Sequence, residues 1–494
     1  MQIAMVSAEC APIAKAGGLG DFVQGLAHEL IKSGEAVEVW LPAYDVLRRE
    51  LISGLDEMGP RLQVHFGGQQ IECRLLRGNV EGIPVLLFDP LSGHRFFGRS
   101  CIYGEADDAE RFAFFCSAVL AHFAQLERPP DVLHCNDWQT GLLPVLLAEH
   151  QGEEAQARTC YTLHNVGYQG KVQPSLLEQV GLDAAALMTP GRLADPHEPG
   201  VANLMQGGIR YAGFVNTVSP RYAWEVQSTE QGMGLQSLFQ ENRHKFGGIL
   251  NGIDESVWGP EVDAHIPVNF GPGSLPKKAV NRRELRLRLG LQETEKPIFA
   301  VVSRLDRQKG IDLIQHAVRY ALAEGGQMVL LGSSLDPAIT RAFESLKAEL
   351  GSGPDCHLEL GYDEALAHLI YAGADMILIP SLYEPCGLTQ LIAMKYGTVP
   401  IVRRVGGLAD TVFDAHYSDK SFEARNGYVF DDATEDALEG AMSRAIALWR
   451  RFPQYFRQLR ANGMRGDYSW RKPAQDYLKI YKKLCALSVR AGTG

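Results

Sequence analysis

No apolar run in this 494-residue chain approaches the length of a membrane span. No basic segment precedes the first strand pattern, Met1-Gln2-Ile3-Ala4-Met5-Val6, so neither a membrane protein nor a secretory leader is expected. The nine cysteines are scattered and include no CxxC pair. A disulfide framework is therefore not expected, whereas buried free thiols in a reducing, cytoplasmic compartment are. A Walker A motif and a dinucleotide-binding GxGxxG are both missing, which removes support for kinase and NAD-dependent activities. Also missing is an Asp-x-Asp triplet that would hold a metal-bound diphosphate. Positive charge is in deficit. The net charge of −11 excludes a general nucleic-acid or anionic-membrane binder, so any phosphate must be held by cations placed locally.

What is present is the composition of a globular protein, with 46% hydrophobic residues, in a chain long enough for two or three domains. The stretch from Asp375 to Asp410 is its most informative part. Met376 to Pro380 reads as a buried strand and Ser381 to Gly387 as a loop. Leu388 to Tyr396 reads as a helix stopped by Gly397, and Val399 to Val402 as a second strand. Such a βαβ unit has parallel strands and binds ligands at their carboxyl ends. Glu384 and the amides around Leu388 and Thr389 fall at that edge, where a carboxylate suits sugar hydroxyls and a helix N-terminus suits an anion. The competing reading is a tight turn carrying a surface Glu.

The first half repeats the pattern. A strand from Ile3 to Ser7 leads through Lys15-Ala16-Gly17-Gly18-Leu19-Gly20-Asp21 into a helix over Phe22 to Lys32. Further strands are expected at 37–41, 84–88, 131–135, 160–163, 215–219 and 248–252. Asp137, His164 and Asn251 sit at strand C-termini, where a doubly wound sheet builds its site. Arg48 to Gly82 gives no clear pattern. In the second half, Ser303 to Gly310 follows a strand over 297–302. There Arg304 offers a fork for phosphate oxygens and Lys309 a point charge, against the blander reading of solvated loop cations. Gly-Gly-Leu-x-Asp occurs at both 17–21 and 406–410, a hint of two similar domains.

The expected organisation is α/β, with two Rossmann-like doubly wound domains facing across a cleft. The first spans 1–260 and is completed by a C-terminal helix over 469–494. A Pro- and Gly-rich linker region spans 261–295, and the second domain 296–468. The C-terminal helix has an apolar stripe of Trp470, Ala474, Tyr477, Leu478, Tyr481 and Leu484, which must pack on something and is expected to cross back to the first domain.

Taken together, Lys15 to Leu19, His134 to Trp138, Thr162 to Asn165, Asn251 to Asp254, Ser303 to Gly310 and Tyr383 to Gln390 resemble the motifs of bacterial glycogen synthases and plant starch synthases. These are retaining GT-B glucosyltransferases that extend α-1,4-glucan from ADP-glucose, and the resemblance covers nearly the whole chain. It implies that Arg304 and Lys309 meet the diphosphate, Tyr362 the adenine and Glu384 the donor-sugar hydroxyls. It places Asp21, Asp137, His164 and Asn251 around the transferred glucose, with Lys15 and Gly18 closing on the donor. Cys386, Gly387, Leu388 and Thr389 are expected to contact substrate. No cofactor or metal is implied, and the partners are ADP-glucose and glycogen or a maltooligosaccharide. Ile392 stands where related enzymes often carry a second Glu, as in the starch-synthase branch. No acid follows the strand at 160–163, so front-face attack is favoured over a covalent intermediate. Two other activities fit parts of the pattern: a nucleotide-sugar epimerase, and a non-catalytic glucan-binding protein.

Overall fold

The computed structural model describes residues 1–350 and 353–491. By its contacts the chain divides into two compact units. The first is Met1–Asn251 together with the chain from Trp470 onward, and the second is Gly252–Ser469.

The first unit is built on β1 (Gln2–Val6), β2 (Ala36–Pro42), β3 (Ser53–Phe66), β4 (Gln69–Val80), β5 (Ile83–Pro90), β6 (Val132–Asn136) and β7 (Thr159–Leu163). A separate two-stranded ribbon pairs β8 (Lys171–Val172) with β9 (Ala202–Asn203), and β10 (Phe214–Thr217) and β11 (Phe246–Gly248) complete the main sheet. Its order is β11-β10-β7-β6-β1-β2-β5-β4-β3. Every pairing from β11 to β5 is parallel, and β3 and β4 add an antiparallel hairpin at the edge. That hairpin occupies the stretch without a clear sequence pattern. The reason is visible in β3, whose first nine residues leave their side chains exposed or half-exposed, so no apolar alternation marks the strand. The strand expected at 248–252 lies instead at 246–248, because Gly247 and Gly248 continue the ladder against Asn216 and Thr217. Asn251 therefore stands beyond the strand, not in it.

The helix Arg471–Ala491 belongs to this unit. Its stripe is buried as expected: Ala474, Tyr477 and Tyr481 are wholly inaccessible and Trp470 is nearly so. The last three residues of the helix expected over 469–494 lie outside the described residues. Two tyrosines of the helix end in polar partners within the sheet. Tyr481 Oη lies 2.7 Å from His134 Nδ1, and Tyr477 Oη accepts from Asn216 Nδ2 at 2.8 Å.

The second unit holds β12 (Ile298–Val302), β13 (Gln327–Leu331), β14 (Cys356–Glu359), β15 (Met376–Ile379), β16 (Val399–Arg403) and β17 (Tyr428–Phe430). They form one parallel sheet in the order β14-β13-β12-β15-β16-β17. Successive residues of a strand point to opposite faces. Accordingly Phe299 and Val301 join one buried cluster while Ile298 and Ala300 join another, so helices cover both faces. The stretch expected to be a linker, 261–295, is integral to this unit. Buried Asp263 Oδ2 accepts from Tyr396 Oη at 2.6 Å and pairs with His368 Nδ1 at 2.8 Å. Lys278, fully buried, donates to the carbonyls of Tyr371 and Tyr396 and to Thr398 Oγ1. The stretch is not only loop, since the helix Lys278–Leu289 fills its second half, and its polar side chains anchor it to the core.

Candidate active site

In a doubly wound sheet, ligands bind outside the strand carboxyl ends where the strand order reverses. In the second unit that point lies between β12 and β15, which are neighbours in space though separated by two strands in sequence. The loops leaving these two strands carry Lys309 and Glu384. Lys309 Nζ lies 2.6 Å from Glu384 Oε2, and Ser381 Oγ donates to the same oxygen at 2.9 Å. Gly310 makes this meeting possible. It has φ +74°, and a Cβ there would come within 2.3 Å of the Pro380 carbonyl oxygen. A cavity of about 40 Å³ opens beside the pair, lined by Ser303, Lys309, Ser381, Glu384, Leu388 and Thr389, among others. Gly387 also lines it, while Leu388 precedes the helix Thr389–Lys395 as its cap. Cys386 is buried beneath the loop, its Sγ 3.7 Å from the Gly387 carbonyl oxygen.

Two expected residues stand apart from this cavity. Arg304 follows the same strand as Lys309, yet its side chain is 61% exposed and 3.4 Å from Asp306. Tyr362 follows β14 and is 79% exposed, so its ring is not packed under the loop.

In the first unit the order reverses between β1 and β6. The loop after β1 brings Glu9 and Lys15, and the loop after β6 brings Asp137. Glu9 is buried and accepts the amides of Ala16 and Gly17 at 2.6 and 2.8 Å; its other oxygen takes the Tyr103 hydroxyl. This carboxylate thereby fixes the glycine loop at the start of the helix Gly18–Lys32, and Lys15 of the loop pairs with Asp21 of the helix at 2.7 Å. Glu9 escaped the reading of the sequence, although it lies in the loop after β1 as Asp137 lies in the loop after β6.

Asp137 is held at φ +57°, ψ −178°, a conformation costly for a residue with a side chain. Its Oδ1 accepts the amides of His164 and Asn165 at 2.7 and 3.2 Å. Loss of water around the carboxyl pushes it up to about 7, against the lowering effect of those two amides. His164 Nε2 lies 3.1 Å from Asn136 Oδ1, and its ring meets Phe22 edge-on at 4.5 Å. Burial pushes this imidazole down to about 3, so it is neutral at any working pH. Asn251 is buried at the end of this unit, and among the described residues its Oδ1 finds no hydrogen-bond partner. Such an acceptor is an exception in folded proteins and marks a place for a ligand donor.

Each unit thus carries polar side chains at its sheet's reversal point. Two family models match the chain: the starch synthase catalytic domain over residues 2–241, and glycosyl transferases group 1 over residues 282–462. Glycogen synthase 1 of Nitrosococcus oceani is 53% identical over 483 residues, covering 97% of this chain and 99% of that one. The chain belongs to the glycogen and starch synthase family. Glycogen synthase 2 of Methylococcus capsulatus is 49% identical over 96% of this chain and 98% of its own. The catalytic domain of starch synthase IV from Arabidopsis thaliana, solved with ADP and acarbose, superposes with a TM-score of 0.94 at 38% identity, covering 98% of this chain and 99% of that one. The fold is GT-B with two Rossmann-like domains. As a family member the protein is a glycosyltransferase with glycogen synthase activity, moving glucose from a nucleotide sugar onto a glucan, which leaves no place for the epimerase or the non-catalytic binder. Among the described residues no helix is long and apolar enough to cross a membrane. Nor, among them, does any group of three or more His, Cys, Asp or Glu side chains converge as metal ligands would.

Proposed function

We propose that the second unit binds ADP-glucose through its diphosphate and glucosyl hydroxyls, and that the first unit carries the α-1,4-glucan acceptor. The Lys309–Glu384 pair beside the cavity at the β12–β15 reversal carries this reading. A cation and an anion sharing one site suit a ligand with a phosphate end and a hydroxyl-rich end. In the reaction the bond from the glucosyl anomeric carbon to the β-phosphate oxygen breaks. The acceptor 4-hydroxyl bonds to that carbon and its proton passes to the departing phosphate. Retention by front-face attack fits the end of β7, where Leu163 is followed by His164 and Asn165 and neutral His164 is no nucleophilic carboxylate. Arg304 and Lys309 meet the charge developing on the phosphate, with no metal taking part. Cys101 and Cys485 are partly exposed free thiols and the other cysteines are buried, consistent with a cytoplasmic setting.

The donor assignment is tested by following nucleotide release with glycogen present. ADP from ADP-glucose should appear at least about tenfold faster than UDP from UDP-glucose, about 1.4 kcal/mol of discrimination. Equal rates would overturn it. The adenine contact is tested separately at Tyr362. If its ring, 79% exposed, stacks on the adenine, Tyr362→Ala should weaken donor binding by about 1–3 kcal/mol and Tyr362→Phe should restore it. A Phe variant as poor as the Ala variant would show that the hydroxyl, not the ring, does the binding.

A further inference from the structure

The loop after β15 carries Glu384, and from Pro380 to Gly387 it belongs to no helix or strand. Its carbonyls are nevertheless tied down by other segments. Arg403 Nη1 donates to the Leu382 carbonyl at 2.7 Å and the Gly407 amide to that of Glu384 at 3.1 Å. Gln390 Nε2 donates to the carbonyls of Cys386 and Gly387 at 3.2 and 2.6 Å. Gly407 comes from the second Gly-Gly-Leu-x-Asp stretch, and the close approach explains both of its glycines. A Cβ on Gly406 would stand 1.9 Å from the Glu384 carbonyl oxygen, and one on Gly407 1.9 Å from that of Cys386. Main chain packs directly on main chain there, so the Glu384 loop rests on a wall that tolerates no side chain.

A separate tie comes from the loop after β12. Gln308, the residue before Lys309, accepts the Leu382 amide on its carbonyl at 2.7 Å. Its side-chain Nε2 donates to the Tyr383 carbonyl at 3.2 Å. Gln308, Lys309 and Gly310 thus each touch the loop leaving β15, at Leu382 and Tyr383, at Glu384 and at Pro380. The three contacts differ in kind. Lys309 and Glu384 are joined by charge, and Gly310 and Pro380 by close packing. Gln308 is half-buried and neutral, and its two hydrogen bonds use no atom of the ion pair.

We infer that Gln308 is a positioning residue for glucosyl transfer, setting the spacing between the cation that meets the phosphate and the carboxylate that meets the sugar. An ion pair changes partners when a ligand arrives, because phosphate competes for the lysine and hydroxyls compete for the carboxylate. A bond independent of those charges keeps the two loops in register while the exchange takes place. Fixed spacing matters because groups that stabilise a transition state act through their preset positions. The Gly406–Gly407 wall and Gln390 hold the Glu384 loop to its own sheet edge, and Gln308 holds it to Lys309.

This inference rests on the donor site proposed above, and the two fail differently. Gln308→Ala and Gln308→Met are compared with the wild type. Methionine is close to glutamine in length and volume but has no N–H to donate. Turnover with saturating ADP-glucose and glycogen should fall about tenfold in both variants. That is short of the roughly 10²-fold cost of a misplacement of about 1 Å, because the main-chain bond from Leu382 to Gln308 survives in each. ADP carries the phosphates without the sugar, so its Kd from calorimetric titration should stay at the wild-type value, as should the melting transition. Either variant with wild-type turnover would overturn the inference, the Met variant by showing that the side chain only fills space. An Ala variant that loses ADP affinity or melting temperature in step with turnover would also overturn it, making Gln308 a nucleotide contact or a general support of the fold. If the wild type itself releases no ADP from ADP-glucose in the presence of glycogen, the functional reading fails instead.

Discussion

Replacing Lys309 with Ala should lower turnover by about 10²–10³-fold, the usual effect of removing one preorganised charge from a developing anion. The structure gives the reason and also the control. Lys309 is largely buried and shares Glu384 Oε2 with Ser381, so its removal strands a buried carboxylate as well as, on the proposed donor site, depriving the phosphate of a cation. Lys309→Ala with Glu384→Gln removes the stranded charge. If stability recovers in the double variant, the stability loss of Lys309→Ala belongs to the stranded carboxylate, and the double variant's turnover is compared with that of Glu384→Gln alone. Arg304→Ala provides a cleaner companion, because its side chain is mostly in solvent and its loss should leave the melting transition unmoved. Its turnover should fall by a similar factor of about 10²–10³. Rates are read with saturating donor and glycogen, and with EDTA added to the wild type. Strong inhibition by EDTA, or a double cation variant with near-normal turnover, would show that something other than these two side chains meets the charge.

Most strands buried on both faces were legible, although the three-residue β17, also buried, was not. Met376 to Ile379 and Val399 to Val402 announce themselves as short apolar runs, and they are parallel neighbours. The hairpin Ser53–Val80 was not legible, because it lies at a sheet edge with one face in water and glycines at its turn. For the site, the same distinction holds. Lys309, Glu384, Asp137 and His164 were candidates because each follows a strand, and strand ends are where a doubly wound sheet concentrates chemistry. What sequence order does not carry is which strand ends are neighbours. That Lys309 meets Glu384 follows from β12 lying beside β15, and that Asp137 binds the amides of His164 and Asn165 follows from β6 lying beside β7. Glu9 and Ser381 were missed for the complementary reason. Their work is to hold other groups, and a residue that only positions its neighbours has no motif of its own.

Asp137→Asn should separate activity from stability in opposite directions. The carboxylate takes its place at the cost of a strained backbone and of surrounding water, and the second pushes its pKa up to about 7. A raised folded-state pKa means that its contribution to stability is full below the unfolded value near 3.8 and is lost as pH rises through about 7. Above that pH the ionised group opposes folding. Asn keeps the carbonyl oxygen that accepts from the His164 and Asn165 amides and tolerates positive φ, but carries no charge. The variant should therefore unfold at higher denaturant than the wild type at pH 8, and the gap should narrow below pH 7 and close toward pH 3.8. Activity should move the other way. If Asp137 lies beside the transferred glucose as proposed, its ionised form would stabilise positive charge growing on the sugar ring, so turnover of the wild type should rise as pH passes through about 7. In Asp137→Asn that rise should vanish, with turnover about 10²-fold lower or more. His164 cannot supply the inflection, since burial keeps it neutral down to about 3. A variant retaining the wild-type pH profile would assign the titration elsewhere. One no more stable than wild type at pH 8 would mean that the carboxylate is solvated, not desolvated, in its place.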